Sequence, residues 1–121
     1  MSTVITGRLG EDAAADYLQG LGWRIVDRNW RCPHGEVDIV AVECAPGERP
    51  TVVFVEVKYR RGHAYGDPLE AITLAKQKHL RRTAAAWILA HGHVGRMRID
   101  AIGIMKVPGQ APLMRHIKGL S

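Results

Sequence analysis

The segment that most constrains the fold of this chain is TVVFVEVKY, at residues 51–59. Its β-branched residues predict a strand, and because strand side chains alternate between faces, its first half is apolar on both. Such a strand is expected at the centre of a sheet that is covered on both sides. The chain has 121 residues, which suits one domain over residues 1–121 with a core of its own.

The rest of the sequence predicts the covering layers and the neighbouring strands. Apolar residues at helical spacing predict a helix over 6–21, and a capping pattern at 67–70 predicts a second helical region that continues, with or without a break, to residue 90. Further strands are predicted at 23–27, 36–42, 97–107 and 114–117, with a turn-rich stretch at 29–35. The strand at 36–42 and the TVVFVEVKY strand form an antiparallel hairpin in this interpretation. The order predicts an α/β fold, a mixed β-sheet flanked by helices.

Charged residues interrupt two of these strands. Glu56 and Lys58 share one face of the TVVFVEVKY strand, and Asp38 lies within the strand at 36–42. Charges in a covered strand are costly unless they are paired or bind a metal. If the two strands pair, Asp38 can lie beside Glu56 and Lys58, although the sequence does not give the register. A buried ion-pair network is the structural alternative to a metal site.

Two neighbouring carboxylates favour a cation between them, because they otherwise repel each other. Mg²⁺, or Mn²⁺ in its place, accepts a few carboxylate oxygens and keeps several waters. Asp38 and Glu56 are the expected ligands, and the carbonyl of Val57, which lies between Glu56 and Lys58 in the sequence, is a further candidate. Lys58 is expected to orient a metal-activated water or to bind a phosphate as a point charge.

The spacing Asp38…Glu56-Val57-Lys58 resembles the PD-(D/E)xK signature of restriction-endonuclease-like proteins. Five longer blocks resemble, in order, the bacterial YraN-type family: GRLGEDAAADYL at 7–18, GEVDIV at 35–40, FVEVKYR at 54–60, YGDPLEAIT at 65–73 and KQKHLRRTA at 76–84. The ordered set spans most of the chain and is far more specific than the D…ExK spacing alone.

The YraN-type family is similar to archaeal Holliday-junction resolvases and other endonucleases of this fold. The resemblance therefore implies a restriction-endonuclease-like core and metal-dependent hydrolysis of DNA phosphodiester bonds, with branched or junction DNA as a candidate substrate. It implies Glu11, Asp38 and Glu56 as the acidic site residues, Lys58 as the catalytic lysine and Gln77 as an active-site amide.

Two details of the sequence bear on this site. Glu11 lies at the edge of the apolar stripe of the first helix, next to Leu18, where a carboxylate can face a cleft. The residue before Asp38 is Val37 instead of the Pro of the signature, and it follows Glu36. Whether Glu36 takes part in the site is left open.

The charge of the chain suits a nucleic-acid partner, with DNA as the expected class. Seventeen Lys and Arg against twelve Asp and Glu give a formal charge of +5 and a pI near 9.6. Phosphate contacts are predicted for Arg60, Arg61, Lys76, Lys78, Arg81 and Arg82, with a solvated surface as the alternative. Two other functions fit these charges. One is a nucleic-acid-binding module with a nuclease-like fold and little or no activity, and the other is an interaction protein that docks on an acidic partner.

The remaining signals place the protein in a cell compartment. Cys32 and Cys44 are too few for a disulfide scaffold, and with His34 they match no zinc template. The first ten residues lack an apolar signal core, and the chain has no membrane-length apolar run. A cytoplasmic protein without a membrane partner is expected. A homodimer is left open, because a two-fold dimer would present two cuts to a two-fold junction.

Overall fold

A computed structural model describes the chain over residues 3–62, 66–93 and 95–120, with side chains from residue 9 onward. The elements in chain order are α1 (Thr3–Gly20), β1 (Arg24–Cys32), β2 (Gly35–Glu43), β3 (Thr51–Arg61), a 3₁₀ helix (Pro68–Ala71), α2 (Leu74–His91), β4 (Arg96–Lys106) and β5 (Leu113–Ile117). Tyr65, which opens the YGDPLEAIT block, lies outside the described residues. Neither α-helix in the described ranges combines the length and apolar character needed to cross a membrane.

The strands form one five-stranded sheet in the order β1-β2-β3-β4-β5. β3 pairs antiparallel with β2 and parallel with β4, and the outer pairs are antiparallel. The predicted mixed sheet, the β2–β3 hairpin and the central place of β3 are therefore confirmed. The sheet with its two helices has the arrangement of a restriction-endonuclease-like core, as the resemblance implied.

Each face of the sheet is covered by one α-helix. Val53 and Val55 of β3 pack in the core cluster that includes Leu18 of α1, whereas Val52 and Phe54 pack in the cluster that includes α2. The alternation of β3 side chains therefore follows the prediction from the sequence. Because alternation continues along a strand, Glu56 and Lys58 belong to the face that α2 covers.

The approach of α1 to the sheet is closest at Gly10. A Cβ added at Gly10 would lie only 2.9 Å from the Cβ of Tyr59 in β3. Glycine thus lets the helix backbone come within contact of the strand. The close approach brings the next residue, Glu11, to the end of β3 that carries Lys58.

The structure corrects the prediction for residues 29–32. They were expected in a turn-rich stretch, but β1 continues to Cys32, and only Pro33 and His34 separate it from β2. The longer strand is favoured because it pairs with β2 as far as Cys32↔Gly35, and because Trp30 packs against the core cluster beneath α2.

The helix ends also differ from the prediction. Leu21, expected in the buried stripe of α1, is 49% exposed because the helix ends at Gly20 and the chain turns at Gly22, where φ is +89°. Asp67 caps only the short 3₁₀ helix, through a 2.9 Å bond from the N–H of Leu69. α2 begins separately after Thr73, whose hydroxyl accepts the N–H of Lys76 at 3.2 Å.

Candidate functional site

The candidate site lies where β2 and β3 separate. Their pairing runs from Glu43↔Thr51 to Ile39↔Val55 and stops there, although continued register would place Asp38 opposite Glu56. Beyond that point the carboxylate oxygen Oδ2 of Asp38 accepts the backbone N–H of Val57 at 2.7 Å. A side chain thus replaces the main-chain acceptor that the neighbouring strand would supply, and the two strands diverge around it.

A pocket of about 290 Å³ opens at this divergence. It is lined by Glu36, Asp38, Glu56, Val57, Lys58 and Lys76. The Glu56 residue is only 4% exposed, and its Oε1 lies 3.4 Å from Nζ of Lys58 and 3.6 Å from Nζ of Lys76. The structure therefore brings Asp38, Glu56, Val57 and Lys58 together, with Lys76 reaching the same oxygen from the first turn of α2.

Burial and nearby negative charge together disfavour ionisation of the Asp38 carboxyl. Burial is the largest cause, and together with the neighbouring charge of Glu56 it raises the pKa of Asp38 to about 7, against the lowering effect of the Val57 N–H. The charges of Glu11 and Glu36 act in the same direction as that of Glu56. A cation bound between Asp38 and Glu56 would relieve this repulsion.

The donor set at the divergence fits a hard divalent cation. Within residues 3–62, 66–93 and 95–120 there is no group of three or more His, Cys, Asp or Glu that could hold a metal ion. Mg²⁺, however, needs only one or two carboxylates beside waters and substrate phosphates. Asp38 keeps its second oxygen beyond the bond to Val57, and Glu56 faces the same pocket.

The carbonyl of Val57 also points toward the pocket. The N–H and C=O of one strand residue point to the same edge of the strand, and the Val57 N–H points to Asp38. Asp38, Glu56 and the Val57 carbonyl could therefore hold the ion, whereas Glu36, which also lines the pocket, is paired with Arg31 at 2.7 Å.

Comparison with known sequences places the chain in a family. The sequence pattern of the uncharacterised protein family UPF0102 matches residues 10–104. The chain belongs to UPF0102. A UPF0102 protein of Renibacterium salmoninarum is 48% identical over 115 residues, covering 94% of this chain and 93% of its own. One from Rhodococcus jostii is 47% identical over 113 residues, covering 93% and 92%. One from Mycobacterium tuberculosis is 42% identical over 124 residues, covering 99% and 94%. The predicted YraN-type membership is confirmed.

Glu11 of this UPF0102 chain lies near the pocket but does not line it. It is 8% exposed, and its Oε1 accepts Nε of Arg28 and Nδ2 of Asn29, each at 2.9 Å. The sequence indicated that this carboxylate could face a cleft, but not that β1 would hold it. Asn29 has a left-handed backbone, with φ +52°, and an Asn in a strand-like run is the one sequence signal for it.

Gln77 lies on the buried side of α2. It precedes Leu80 by one helical turn, and Leu80 is 2% exposed within the core. The amide oxygen of Gln77 is buried without a hydrogen-bond partner in the described part of the chain. A buried amide oxygen without a partner is costly, so this acceptor is available to a water or a ligand, although Gln77 does not line the pocket.

The predicted basic cluster is divided by the structure. Lys76 lines the pocket, whereas Lys78, Arg81 and Arg82 are exposed along α2. Arg60 is half-buried near the end of β3, where one of its guanidinium nitrogens donates to the carbonyl of Tyr59 at 3.3 Å, and Arg61 is exposed. The predicted contact set therefore consists of one lysine inside the pocket and an outer basic surface on α2, formed by Lys78, Arg81 and Arg82.

A second buried carboxylate, Asp100 of β4, has a different environment. It is fully buried and accepts two bonds from Arg98, at 2.7 and 3.0 Å, and one from the N–H of Gly119 at 3.0 Å. His116 lies 2.8 Å from it and also bonds the hydroxyl of Tyr17. Sequence reasoning missed this network, although a lone Asp in an apolar strand was its signal. Its saturated partners distinguish it from the open site at Asp38.

Proposed function

We propose that this UPF0102 protein is a metal-dependent endonuclease that hydrolyses DNA phosphodiester bonds, with branched or junction DNA as a candidate substrate. The single observation that carries the proposal is the pocket at the β2–β3 divergence, which Asp38, Glu56 and Lys58 line together. The resemblance to the D…ExK nucleases assigns the same residues to catalysis. The fold and the charges of the chain are in keeping with it.

The residues of the pocket divide the chemistry between them. Asp38, Glu56 and the carbonyl of Val57 would hold Mg²⁺ or Mn²⁺. When bound, the ion would lower the pKa of a water and stabilise negative charge on the phosphate. Lys58, with its Nζ 3.4 Å from Glu56, orients the attacking water. Lys76 enters from the other wall and neutralises a phosphate oxygen.

The outer basic surface extends DNA binding beyond the pocket. Lys78, Arg81 and Arg82 are exposed on the helix whose first turn supplies Lys76. Contacts from such residues bind the phosphate backbone and position it without reading sequence. Gln77, on the buried side of the same helix, would accept a hydrogen bond from a water or a substrate group in the site. Glu11 would contribute negative charge at the edge of the pocket.

A nucleic-acid-binding module with little or no activity is the second candidate. It is favoured by the bonds of Glu11 to Arg28 and Asn29 and by the 2.7 Å ion pair of Glu36 with Arg31. Of the three carboxylates that line the pocket, only Asp38 and Glu56 have no arginine partner among the described residues. Such a module would bind DNA through the outer basic surface and would have no requirement for Mg²⁺.

The two candidates are separated by one cleavage experiment. Labelled duplex, single-stranded, flap and four-way-junction DNA are incubated with wild-type protein in Mg²⁺, Mn²⁺, Ca²⁺ or EDTA, and binding and cutting are measured on the same samples. Glu56→Ala and Lys58→Ala are tested beside the wild type, and Lys78→Ala serves as a lysine control outside the pocket.

Each outcome of this experiment has a distinct meaning. Cutting in Mg²⁺ or Mn²⁺ that both pocket variants lose and Lys78→Ala retains supports the nuclease and identifies its preferred DNA shape. Binding without cutting on every substrate supports the binding module. Cutting that survives both pocket substitutions would come from a contaminant, and the proposed site would then be wrong.

A further inference from the structure

Two neighbouring side chains of β1 bind the same oxygen of Glu11. Nε of Arg28 and Nδ2 of Asn29 each donate to Oε1 at 2.9 Å. The contact is largely shielded, since the side chain of Glu11 is only 10% exposed. Two donors on one oxygen fix the plane and direction of the carboxylate, while the second oxygen, Oε2, has no hydrogen-bond partner among the described side chains.

The backbone of Asn29 is shaped for this contact. Its φ of +52° is left-handed, an unusual conformation for a residue within a strand. The β1–β2 pairs Arg28↔Ile39 and Trp30↔Val37 flank it, so the register places Asn29 opposite Asp38. The irregular position in β1 therefore lies across from the residue at which β2 leaves β3.

The same irregularity redirects side chains on both strands. Ile39 packs in the core cluster that includes α1, but Val37, two residues away, packs in the cluster beneath α2 together with Trp30. Alternation along a regular strand would place Val37 on the face of Ile39, so β2 departs from that pattern here. A regular strand would not make this change, and it allows the amide of Asn29 to reach Glu11 on α1.

Glu11 is near enough to the pocket for its charge to act on Asp38. The direction of that effect is the same as that of Glu56, which lines the pocket. Gly10, which precedes Glu11, is in close contact with Tyr59, which follows Lys58. Glu11 is thus linked to the pocket through Asn29, which lies opposite Asp38, and through the effect of its charge on Asp38.

We infer that Arg28 and Asn29 are positioning residues, which orient Glu11 so that its Oε2 binds a water of a divalent cation held at Asp38 and Glu56. The inference rests on the proposed function. Neither residue touches the ion or the DNA. They act through Glu11, and groups that orient a ligand in this way commonly change metal affinity by about 10- to 100-fold when removed.

The test is calorimetric titration of Mn²⁺ into DNA-free protein at pH 8, with circular dichroism and thermal unfolding of every variant. Asn29→Gly is the principal variant, because glycine adopts a φ of +52° readily and removes only the amide. Arg28→Ala and Arg28→Lys are tested beside it, and Glu11→Gln provides the background for double variants. Asp12→Asn is the matched control, because it removes the other carboxylate bound by Arg28 and leaves Glu11 in place.

We expect Asn29→Gly, Arg28→Ala and Glu11→Gln each to weaken Mn²⁺ binding by about 10-fold. Arg28→Lys should recover part of the loss, and Asp12→Asn should bind like the wild type. Adding Asn29→Gly or Arg28→Ala to Glu11→Gln should weaken binding no further, because the residues act through one group.

The inference is overturned if folded Asn29→Gly and Arg28→Ala bind Mn²⁺ like the wild type, or if their effects persist in the Glu11→Gln background. If Asp38→Asn alone abolishes binding while these variants do not, the metal site stands without the positioning role. A wild-type protein that binds no Mn²⁺ would overturn the inference and the proposed function together.

Discussion

The carboxylate of Asp38 accepts the backbone N–H of Val57 at 2.7 Å, across the gap where β2 and β3 stop pairing. This bond holds one acidic side chain at a fixed place beside Glu56 and keeps the gap open. It also explains how a buried carboxylate is tolerated in a core strand, since one of its oxygens receives a main-chain donor. The other oxygen remains for the chemistry of the pocket.

The raised pKa of Asp38 predicts a stability that falls as the pH rises in the absence of metal. Below about pH 4 the carboxyl is protonated in the folded and the unfolded chain. Between there and the folded pKa of about 7, only the unfolded chain has released the proton, so raising the pH favours unfolding. Above that pH the folded chain has also released the proton, and the free energy of unfolding falls no further. Asp38→Asn, which keeps an acceptor for Val57, should remove this loss and be more stable at pH 8 by roughly 1 to 3 kcal/mol.

Urea unfolding at pH 4.5, 6 and 8 in EDTA measures this effect. Asp16→Asn, an exposed position on α1, is the control and should follow the wild type. Mg²⁺ should stabilise the wild type at pH 8 and leave Asp38→Asn unchanged. Parallel pH profiles for the wild type and Asp38→Asn would show that Asp38 titrates normally.

The two pocket lysines should differ in the kinetic constant that they control. Lys58→Ala should lower kcat by about 100-fold or more, because the lysine orients the reacting water. Lys76→Ala should chiefly raise KM, by about 10-fold, because its half-exposed ammonium binds phosphate. Single-turnover cleavage over a range of protein concentrations separates the two effects. Equal losses in both variants, or a loss of the same size in Lys78→Ala, would contradict the assignment.

Gln77 offers a test in which stability and activity move in opposite directions. Its amide oxygen is buried without a hydrogen-bond partner among the described residues. Gln77→Leu should therefore unfold at a temperature at least as high as the wild type, with a gain in unfolding free energy on the order of 1 kcal/mol. The same change should slow cleavage, since the acceptor for a water or substrate group is lost. Thermal unfolding and the initial rate of DNA cleavage are measured on the same preparation of each protein. If Gln77→Leu is less stable than the wild type and fully active, the amide has a structural role in the core and none in cleavage.

The outer basic surface should determine the salt dependence of DNA binding. Each alanine at Lys78, Arg81 or Arg82 should reduce the slope of log K against log salt by about 0.9, the value for one phosphate contact on duplex DNA. Fluorescence anisotropy in Ca²⁺ at several salt concentrations gives the slope without cleavage. Arg96→Ala is the control, because Arg96 is exposed and pairs with Thr51 at the far end of the sheet. An unchanged slope when all three residues are replaced by alanine would show that this surface does not contact DNA phosphates.

Two glycines of α1 give a matched test of the packing that carries Glu11. Gly10→Ala places a Cβ 2.9 Å from that of Tyr59 and should cost about 1 to 3 kcal/mol of unfolding free energy. Gly20→Ala meets open space and should be neutral or stabilise by up to about 1 kcal/mol. Chemical denaturation of both variants measures the difference. Equal stabilities would mean that α1 does not approach β3 this closely.

Much of the fold could be predicted because side-chain alternation in β3 is so regular. Val53 and Val55 pack toward α1, and Val52 and Phe54 toward α2, as the pattern TVVFVEVKY indicates. The same alternation placed Glu56 and Lys58 on one face. The short loop between β2 and β3 was enough to predict that these two strands pair.

The site details that sequence could not supply arise where regular geometry ends. Val37 lies on the opposite face of the sheet from Ile39, next to the position opposite the left-handed Asn29, and alternation has no means of anticipating that. The partners of Glu11 lie on β1, far from it in sequence. Lys76 and Lys78 look equivalent in the run KQKH, yet only Lys76 lines the pocket, because the orientation of α2 depends on tertiary packing.

The most direct test of the central claim is single-turnover cleavage of DNA by the wild type and Glu56→Gln at matched DNA occupancy, with Mg²⁺ and after EDTA. Glu56→Gln keeps the size of the side chain and removes its charge. The account predicts cutting by the wild type in Mg²⁺, none in EDTA, and a loss of at least about 100-fold in Glu56→Gln despite full binding. Bound DNA that the wild type leaves intact in Mg²⁺ and Mn²⁺, or cuts equally well in EDTA, would contradict the account.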